Sequence, residues 1–296
     1  MRIVRTVDEL RAALAERRAA GSRVGLVPTM GALHEGHLSL VRAARAENEA
    51  VVISVFVNPA QFDDASDLAA YPRQLERDAE IAAEAGVDLL FAPDAAEMYP
   101  EGFATVVHVE GALTETLEGA ARGGSHFDGV ATIVAKLLLA GLPDAAYFGR
   151  KDAQQLLVVQ RMVADLRIPT RVVACPTSRD PDGLARSSRN ARLSAEERLR
   201  ALAIPRALDA AAAAAAAGER DAAALRALAT ETLRGAGIEA EYVALVRADS
   251  LAPLERLEDA ALLAVAARVG EVRLIDNAVL RAAGGDPEPV HPDEEV

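Results

Sequence analysis

Two histidines three residues apart, in the run Pro28-Thr29-Met30-Gly31-Ala32-Leu33-His34-Glu35-Gly36-His37, are the residues of this chain best suited to chemistry on a phosphate. The run joins the apolar stretch Val24 to Val27 to the periodic segment Leu38 to Ala46, so the pattern predicts strand, turn, helix. A helix start offers free backbone N–H groups and the positive end of the helix dipole to an anion, and Gly36 permits close backbone approach. If the first helical turn includes both His34 and His37, they share a face and can point at one ligand. As donors to non-bridging oxygens they gain strength as charge builds in a phosphoryl transition state. Zinc binding is the competing use of such a pair. No Cys, further His or clustered carboxylate accompanies it, and Glu35 alone would point elsewhere on the helix.

Residue types that this chain avoids mark further candidates. Of its 32 basic residues only Lys136 and Lys151 are lysine. Eight of the sixteen Lys, Asn, Gln and His residues fall in segments 28–37, 58–62, 149–155 and 186–190, which together span 27 positions. In Gly149-Arg150-Lys151-Asp152 the ammonium of Lys151 suits a compact point charge on a phosphate. Asp152 suits ribose or a water on Mg²⁺, or equally a first-turn carboxylate that stabilises its helix. Arg186-Ser187-Ser188-Arg189 supplies guanidinium forks and hydroxyls that could close over a triphosphate, or forms an ordinary solvated turn. Asn58-Pro59-Ala60-Gln61 ends an apolar run with two amides, which can orient a small polar acid without adding charge or can simply stabilise the turn.

These segments need elements to hold them. Apolar runs at Val51 to Val57, Val87 to Phe91, Ala145 to Phe148 and Thr170 to Ala174 alternate with helical stretches at 72–85, 129–140 and 151–166. The start, MRIVRTVDELRAAL, reads as a strand followed by a capped helix. Such alternation predicts an α/β fold, a Rossmann-like doubly wound parallel sheet, over residues 1–176. Beyond Cys175 the character changes. A polar loop, Ala-rich helices including eight consecutive alanines from Ala210, and strands near 241–246, 261–266 and 272–275 predict a smaller C-terminal α+β lid domain over 177–283. The Gly-, Pro- and acid-rich tail 284–296 is expected to be disordered.

A formal charge of −13, spread along the chain, disfavours nucleic acid as a partner. No apolar stretch of about 18 residues occurs and the start does not read as a signal peptide, so a cytoplasmic protein without a membrane partner is expected. The lone Cys175, in the run RVVAC, reads as a small buried hydrophobe.

Taken together, PTMGALHEGHLSLV, NPAQF, DLAAYPR, SHFDGVATIVAKL, YFGRKDAQQL and GLARSSRN resemble, in order and spacing, the motif series of the pantothenate synthetase family over residues 24 to about 193. The HxGH element by itself is shared by a superfamily of adenylyltransferases and class I aminoacyl-tRNA synthetases; the other blocks carry the specificity. The resemblance implies that pantoate and ATP give pantoyl adenylate and pyrophosphate, and that β-alanine then displaces AMP. It implies that Met30, Gly31, Ala32, Leu33, His34, Glu35, Gly36 and His37 line the ATP site, with His37 catalytic beside His34 and Lys151. Gly149, Arg150, Lys151 and Asp152, with Arg186, Ser187, Ser188 and Arg189, would complete that site, and Gln61 and Gln155 would hold pantoate. It further implies Mg²⁺ with ATP, and a homodimer. The family pattern usually has an acid or amide where Arg150 stands, an aromatic at Ala153, and Met or Leu at Arg186. The competing enzyme class is an HxGH adenylyltransferase acting on a phosphate or nucleotide acceptor. A tRNA synthetase is disfavoured by the short, acidic chain and the lack of a KMSKS match.

Overall fold

Six short apolar runs become the strands of one sheet in the computed structural model, which describes residues 1–62 and 65–282. They are β1 (Arg2–Val4), β2 (Val24–Thr29), β3 (Ala50–Val55), β4 (Leu89–Phe91), β5 (Ala145–Gly149) and β6 (Arg171–Cys175). Their order is β1-β4-β3-β2-β5-β6 and every pairing is parallel. Continuous burial along Val24–Val27 and Ala50–Ile53 is what a strand covered on both faces requires. The helices supply both covers. Helices Val7–Ala19, Gly124–Gly141 and Ala153–Asp165 pack one core through Leu10, Leu14, Leu138 and Val159. Helices Glu35–Glu47 and Leu75–Glu84 pack the other through Val41, Ala44 and Ala82. The expected doubly wound α/β fold is therefore the one observed.

The winding reverses at β2. From β2 the chain passes to β3 on one side, while β5 pairs with the other side and leads away to β6. In open sheets of this kind ligands bind beyond the carboxyl ends of the strands at that switch point. The segments after β2 and β5 meet this condition, because they contain the histidine pair and Lys151. One detail departs from the expected helix at 151–166. A 3-10 turn, Arg150–Asp152, comes first and the α-helix begins at Ala153, so Lys151 stands ahead of the helix.

Backbone contacts divide the chain into two units. One comprises Met1–Pro181 with Ala185–Ala191; the other comprises Asp182–Leu184 with the chain from Arg192 onward. A boundary after residue 176 assigns the loop at 185–191 to the C-terminal part, whereas its contacts group it with the first unit. Arg179 pairs antiparallel with Ala185, and the Arg186 N–H donates to Ser178 O at 2.9 Å.

The second unit is a smaller α+β body. Its antiparallel strands β7 (Ala240–Arg247), β8 (Ala260–Val269) and β9 (Val272–Arg281) lie in sequence order. The alanine run forms helix Ala203–Ala216, which buries Ile204, Ala207, Leu208, Ala211 and Ala215 at helical spacing. The tail 284–296 lies outside the described residues.

Candidate active site

His34 is the N-cap of helix Glu35–Glu47 and His37 is its N3 residue. The two rings form a reciprocal cap. His34 Nδ1 accepts the Gly36 N–H at 3.1 Å, and His37 Nδ1 accepts the His34 N–H at 3.3 Å. The ring centroids lie 4.1 Å apart. A neutral imidazole that accepts through Nδ1 carries its proton on Nε2, so the pair presents two Nε2–H donors. Neither Nε2 has a hydrogen-bond partner among the described residues. Burial, then the neighbouring His34 ring, pushes His37 down to about 3, with Asp152 opposing and Lys151 adding to the effect. His34 is lowered by burial and then by Lys151 and Arg186. Both rings are therefore neutral donors at pH 7.

The intervening residue must be glycine for a reason internal to the cap. A Cβ on Gly36 would lie 2.8 Å from Cε1 and 2.9 Å from Nδ1 of His34. The close approach inferred from the sequence is thus made by the His34 ring.

The expected cradle of free backbone N–H groups is largely occupied. Thr29 Oγ1 takes the Gly31 N–H at 3.1 Å, and the Asp78 carboxylate takes those of Ala32 and Leu33 at 2.9 and 2.8 Å. Ala32 and Leu33 point their side chains into the core. Glu35 pairs with Arg42 at the surface. Among the described residues, the side-chain donors of this loop left without a partner are the two imidazole Nε2–H groups.

Positive charge gathers beside them. Lys151, whose side chain is 16% exposed, holds Nζ 3.7 Å from Asp152 Oδ1 and acts electrostatically on both histidines. Arg186 donates from Nε to Arg179 O at 3.0 Å, sits 3.4 Å from Asp180 Oδ1, and also acts on His34. Arg189 and Asp152 both act on the Tyr71 phenol, which burial raises. Ser187 Oγ accepts the Arg189 N–H at 3.3 Å, and Ser188 is exposed. Arg150 acts electrostatically on Cys175 of β6, whose thiol burial pushes up to about 11, in keeping with an inert core residue. Gly149 ends β5, where an added Cβ would meet nothing within 4 Å.

The amides sort into two kinds. Gln61 donates from Nε2 to the Met30 thioether at 3.0 Å and accepts through Oε1 from Asn58 Nδ2 at 3.0 Å, so its amide is held beside the histidine loop. Asn58, 1% exposed, is fixed in turn by the Tyr99 hydroxyl, which donates to Oδ1 at 2.7 Å, and by Gly129 O at 3.0 Å. Helix Gly124–Gly141 comes so close here that a Cβ on Gly129 would lie 2.1 Å from Ala60 O. Gln155 is half-buried, and its side-chain amide has no hydrogen-bond partner among the described residues. Its neighbour Gln154 is structural: it bonds Leu113 O, Thr116 O and the Glu118 N–H.

Asp78, Tyr99 and His126, whose Nδ1 lies 2.8 Å from Gln61 O, were not singled out from the sequence. Two had left a signal there: His126, as one of five histidines and part of the run SHFDGVATIVAKL, and Asp78. The latter is a carboxylate set among Leu75, Ala79 and Ala82, the apolar stripe of its helix.

A doubly wound sheet carrying HxGH imidazoles at its switch point, beside a lysine from the neighbouring strand end, defines an enzyme of the HxGH nucleotidyl-transfer class. Comparison with known proteins narrows this. The family model for pantoate-beta-alanine ligase matches residues 2–279. The pantothenate synthetase of Moorella thermoacetica is 53% identical over 281 residues, covering 95% of this chain and 99% of that one. That of Chelativorans sp. is 56% identical over 275 residues, covering 93% and 96%. The crystal structure of pantothenate synthetase from Thermus thermophilus superposes with a TM-score of 0.88 at 53% identity, covering 94% and 99%. The pantoate-beta-alanine ligase of Francisella tularensis, solved with beta-gamma ATP and beta-alanine, gives 0.76 at 34% identity, covering 94% and 97%. The chain belongs to the pantoate-beta-alanine ligase family.

Proposed function

We propose that this chain joins pantoate to β-alanine with ATP, through a pantoyl adenylate formed at the histidine loop. In the first step a pantoate carboxylate oxygen attacks the α-phosphorus, the bond to the bridging oxygen breaks, and pyrophosphate leaves. In the second the β-alanine amine attacks the acyl carbon, AMP departs with the electrons of the acyl C–O bond, and the nitrogen loses a proton.

The observation that carries this reading is the pair of neutral Nε2–H donors. They meet charge that develops on phosphate oxygens without having to lose or gain a proton first. Lys151 and Arg186 neutralise the departing pyrophosphate, while Gln61 and Gln155 orient pantoate, so that the weak carboxylate nucleophile is held in line. Among the described residues no group of three or more His, Cys, Asp or Glu side chains can hold a metal ion. Mg²⁺ enters this reading as the counter-ion that ATP brings, and no step is assigned to a metal site of the protein. The reading also takes the protein to be cytoplasmic and homodimeric. No described helix is long and apolar enough to cross a membrane, and the net charge of −13 suits small-molecule substrates over nucleic acid.

The test is isotope exchange between pyrophosphate and ATP, with and without pantoate, followed by AMP release on adding β-alanine. Exchange that needs pantoate and AMP release that needs β-alanine are expected. Exchange indifferent to pantoate, or no AMP after β-alanine, overturns the reading.

A further inference from the structure

We propose that Asp78 is a positioning residue for adenylation: its buried carboxylate fastens the backbone just ahead of His34 and so sets the pose of the two imidazoles. The proposal rests on the assignment of those imidazoles to the nucleotide.

Asp78 is 1% exposed, yet among the described residues it forms no salt bridge. Its two oxygens are spent on consecutive backbone donors, Oδ2 on Ala32 N–H at 2.9 Å and Oδ1 on Leu33 N–H at 2.8 Å. A carboxylate withdrawn from water in this way is costly unless its hydrogen bonds are good, and charge-assisted bonds to N–H are among the stronger ones. The loop it grips is in a conformation that the chain would not adopt unaided. Gly31 has φ +85°, and Ala32, with a side chain, has φ +51°. A left-handed alanine is uphill by roughly 1 kcal/mol or more, so something must hold it there. The fit against the carboxylate is close, since a Cβ on Gly31 would lie 2.8 Å from Asp78 Oδ2 and 3.0 Å from Val55 Cγ1.

The consequence reaches the site through one residue. Leu33 precedes the N-cap, and the His34 backbone N–H is the donor that fixes His37 Nδ1. If the 32–33 peptide turns, that donor moves, the reciprocal cap loosens, and either imidazole can place its proton on Nδ1 instead. The carboxylate thus occupies the concavity that many phosphate loops keep for phosphate, which leaves phosphate recognition to the side chains it positions.

Asp78→Asn tests this. The amide has the same shape, but its NH₂ must face one of the two backbone donors. The readout that a merely structural role would not move is imidazole tautomer, followed by ¹⁵N NMR of the histidine side chains. In the parent, His34 and His37 are expected to show protonated Nε2 and bare Nδ1 at pH 7. In Asp78→Asn the two forms should mix, and kcat of pantoate-dependent pyrophosphate exchange should fall about 10²-fold, the loss typical of a misplacement near 1 Å, with KM for pantoate changed far less. Ile81→Ala, one turn further along the same helix and leaving the Asp78 carboxylate in place, serves as the stability control and should lower the melting temperature without mixing the tautomers. Gly31→Ala crowds the Asp78 carboxylate from the loop and should reproduce the Asp78→Asn spectrum, which keeps the test decisive if Asp78→Asn does not fold. Unchanged tautomers in Asp78→Asn, or in Gly31→Ala should that variant alone fold, overturn the proposal. If the tautomers mix while exchange stays at the parental rate, the loop is positioned as argued and the assignment of the imidazoles to the nucleotide is what fails.

Discussion

Gly36→Ala should separate stability from turnover. The added methyl would stand 2.8 Å from Cε1 and 2.9 Å from Nδ1 of His34. Ordinary carbon contacts are about 3.5 Å or longer, so the ring must withdraw by roughly 0.6 Å. Withdrawal breaks the bond from the Gly36 N–H to Nδ1, an N-cap worth about 1 kcal/mol. Replacing glycine by alanine inside a helix returns up to about 1 kcal/mol, since alanine loses less backbone freedom. The two nearly cancel. Thermal unfolding of Gly36→Ala is therefore expected within a few degrees of the parent. Turnover has no such offset. Removing one donor to a developing oxyanion lowers rates about 10²- to 10³-fold, and here the donor is displaced from its place. Pantoate-dependent pyrophosphate exchange should fall by about 10², measured beside a melting curve on the same preparation. An exchange rate within a few-fold of the parent would refute the idea that the cap sets the catalytic imidazole. So would a loss of rate that merely follows loss of folded protein.

Lys151→Arg should lose pantoate-dependent exchange nearly as fully as Lys151→Ala, because a planar guanidinium cannot follow phosphate oxygens as a compact ammonium does; parental exchange in the Arg variant would reduce Lys151 to a generic charge. Tyr99→Phe removes the donor to Asn58 and frees that amide and Gln61 to reorient, so KM for pantoate should rise several-fold with KM for ATP unchanged, and steady-state kinetics on both substrates decide it. Acid should weaken the fold through His37. Its folded value is about 3 against about 6.5 unfolded, so the unfolded chain binds the extra proton, and stability present above pH 6.5 is lost as pH falls toward 3, at no more than about 1.4 kcal/mol per pH unit. Urea midpoints of the parent should drop between pH 6.5 and 5 more than those of His37→Asn; parallel curves would contradict the shift.

Much of this architecture was legible in the sequence because burial leaves a local record. Strands such as Val24–Val27 and Val51–Ile53 are continuous apolar runs, and the helices between them repeat their apolar residues every three or four positions. The histidine pair, Lys151 and the amides were legible for another reason: they are scarce types at the ends of those runs, where a doubly wound sheet keeps its ligands. The pairing of Tyr99 with Asn58 was not legible, because 41 residues separate them and their contact depends on where helix Gly124–Gly141 and its neighbours settle. The same holds for Gln154, whose sequence looks no different from that of Gln155 although one is fastened inside and the other is not.

The alternation of strand and helix, the HxGH turn after the second strand and the lysine after the fifth are all written in local pattern. These are matters of propensity and short-range spacing, which neighbouring residues decide among themselves. The packed fold was needed to set β2 beside β5, which brings Lys151 close enough to His34 and His37 to act on both. It alone decided that Asp78, 45 residues beyond Leu33, fills the turn that precedes the histidines. A hydrogen bond across that distance in sequence exists only once the helix carrying one partner has packed on the strand leading to the other, and no local pattern encodes which helix that will be.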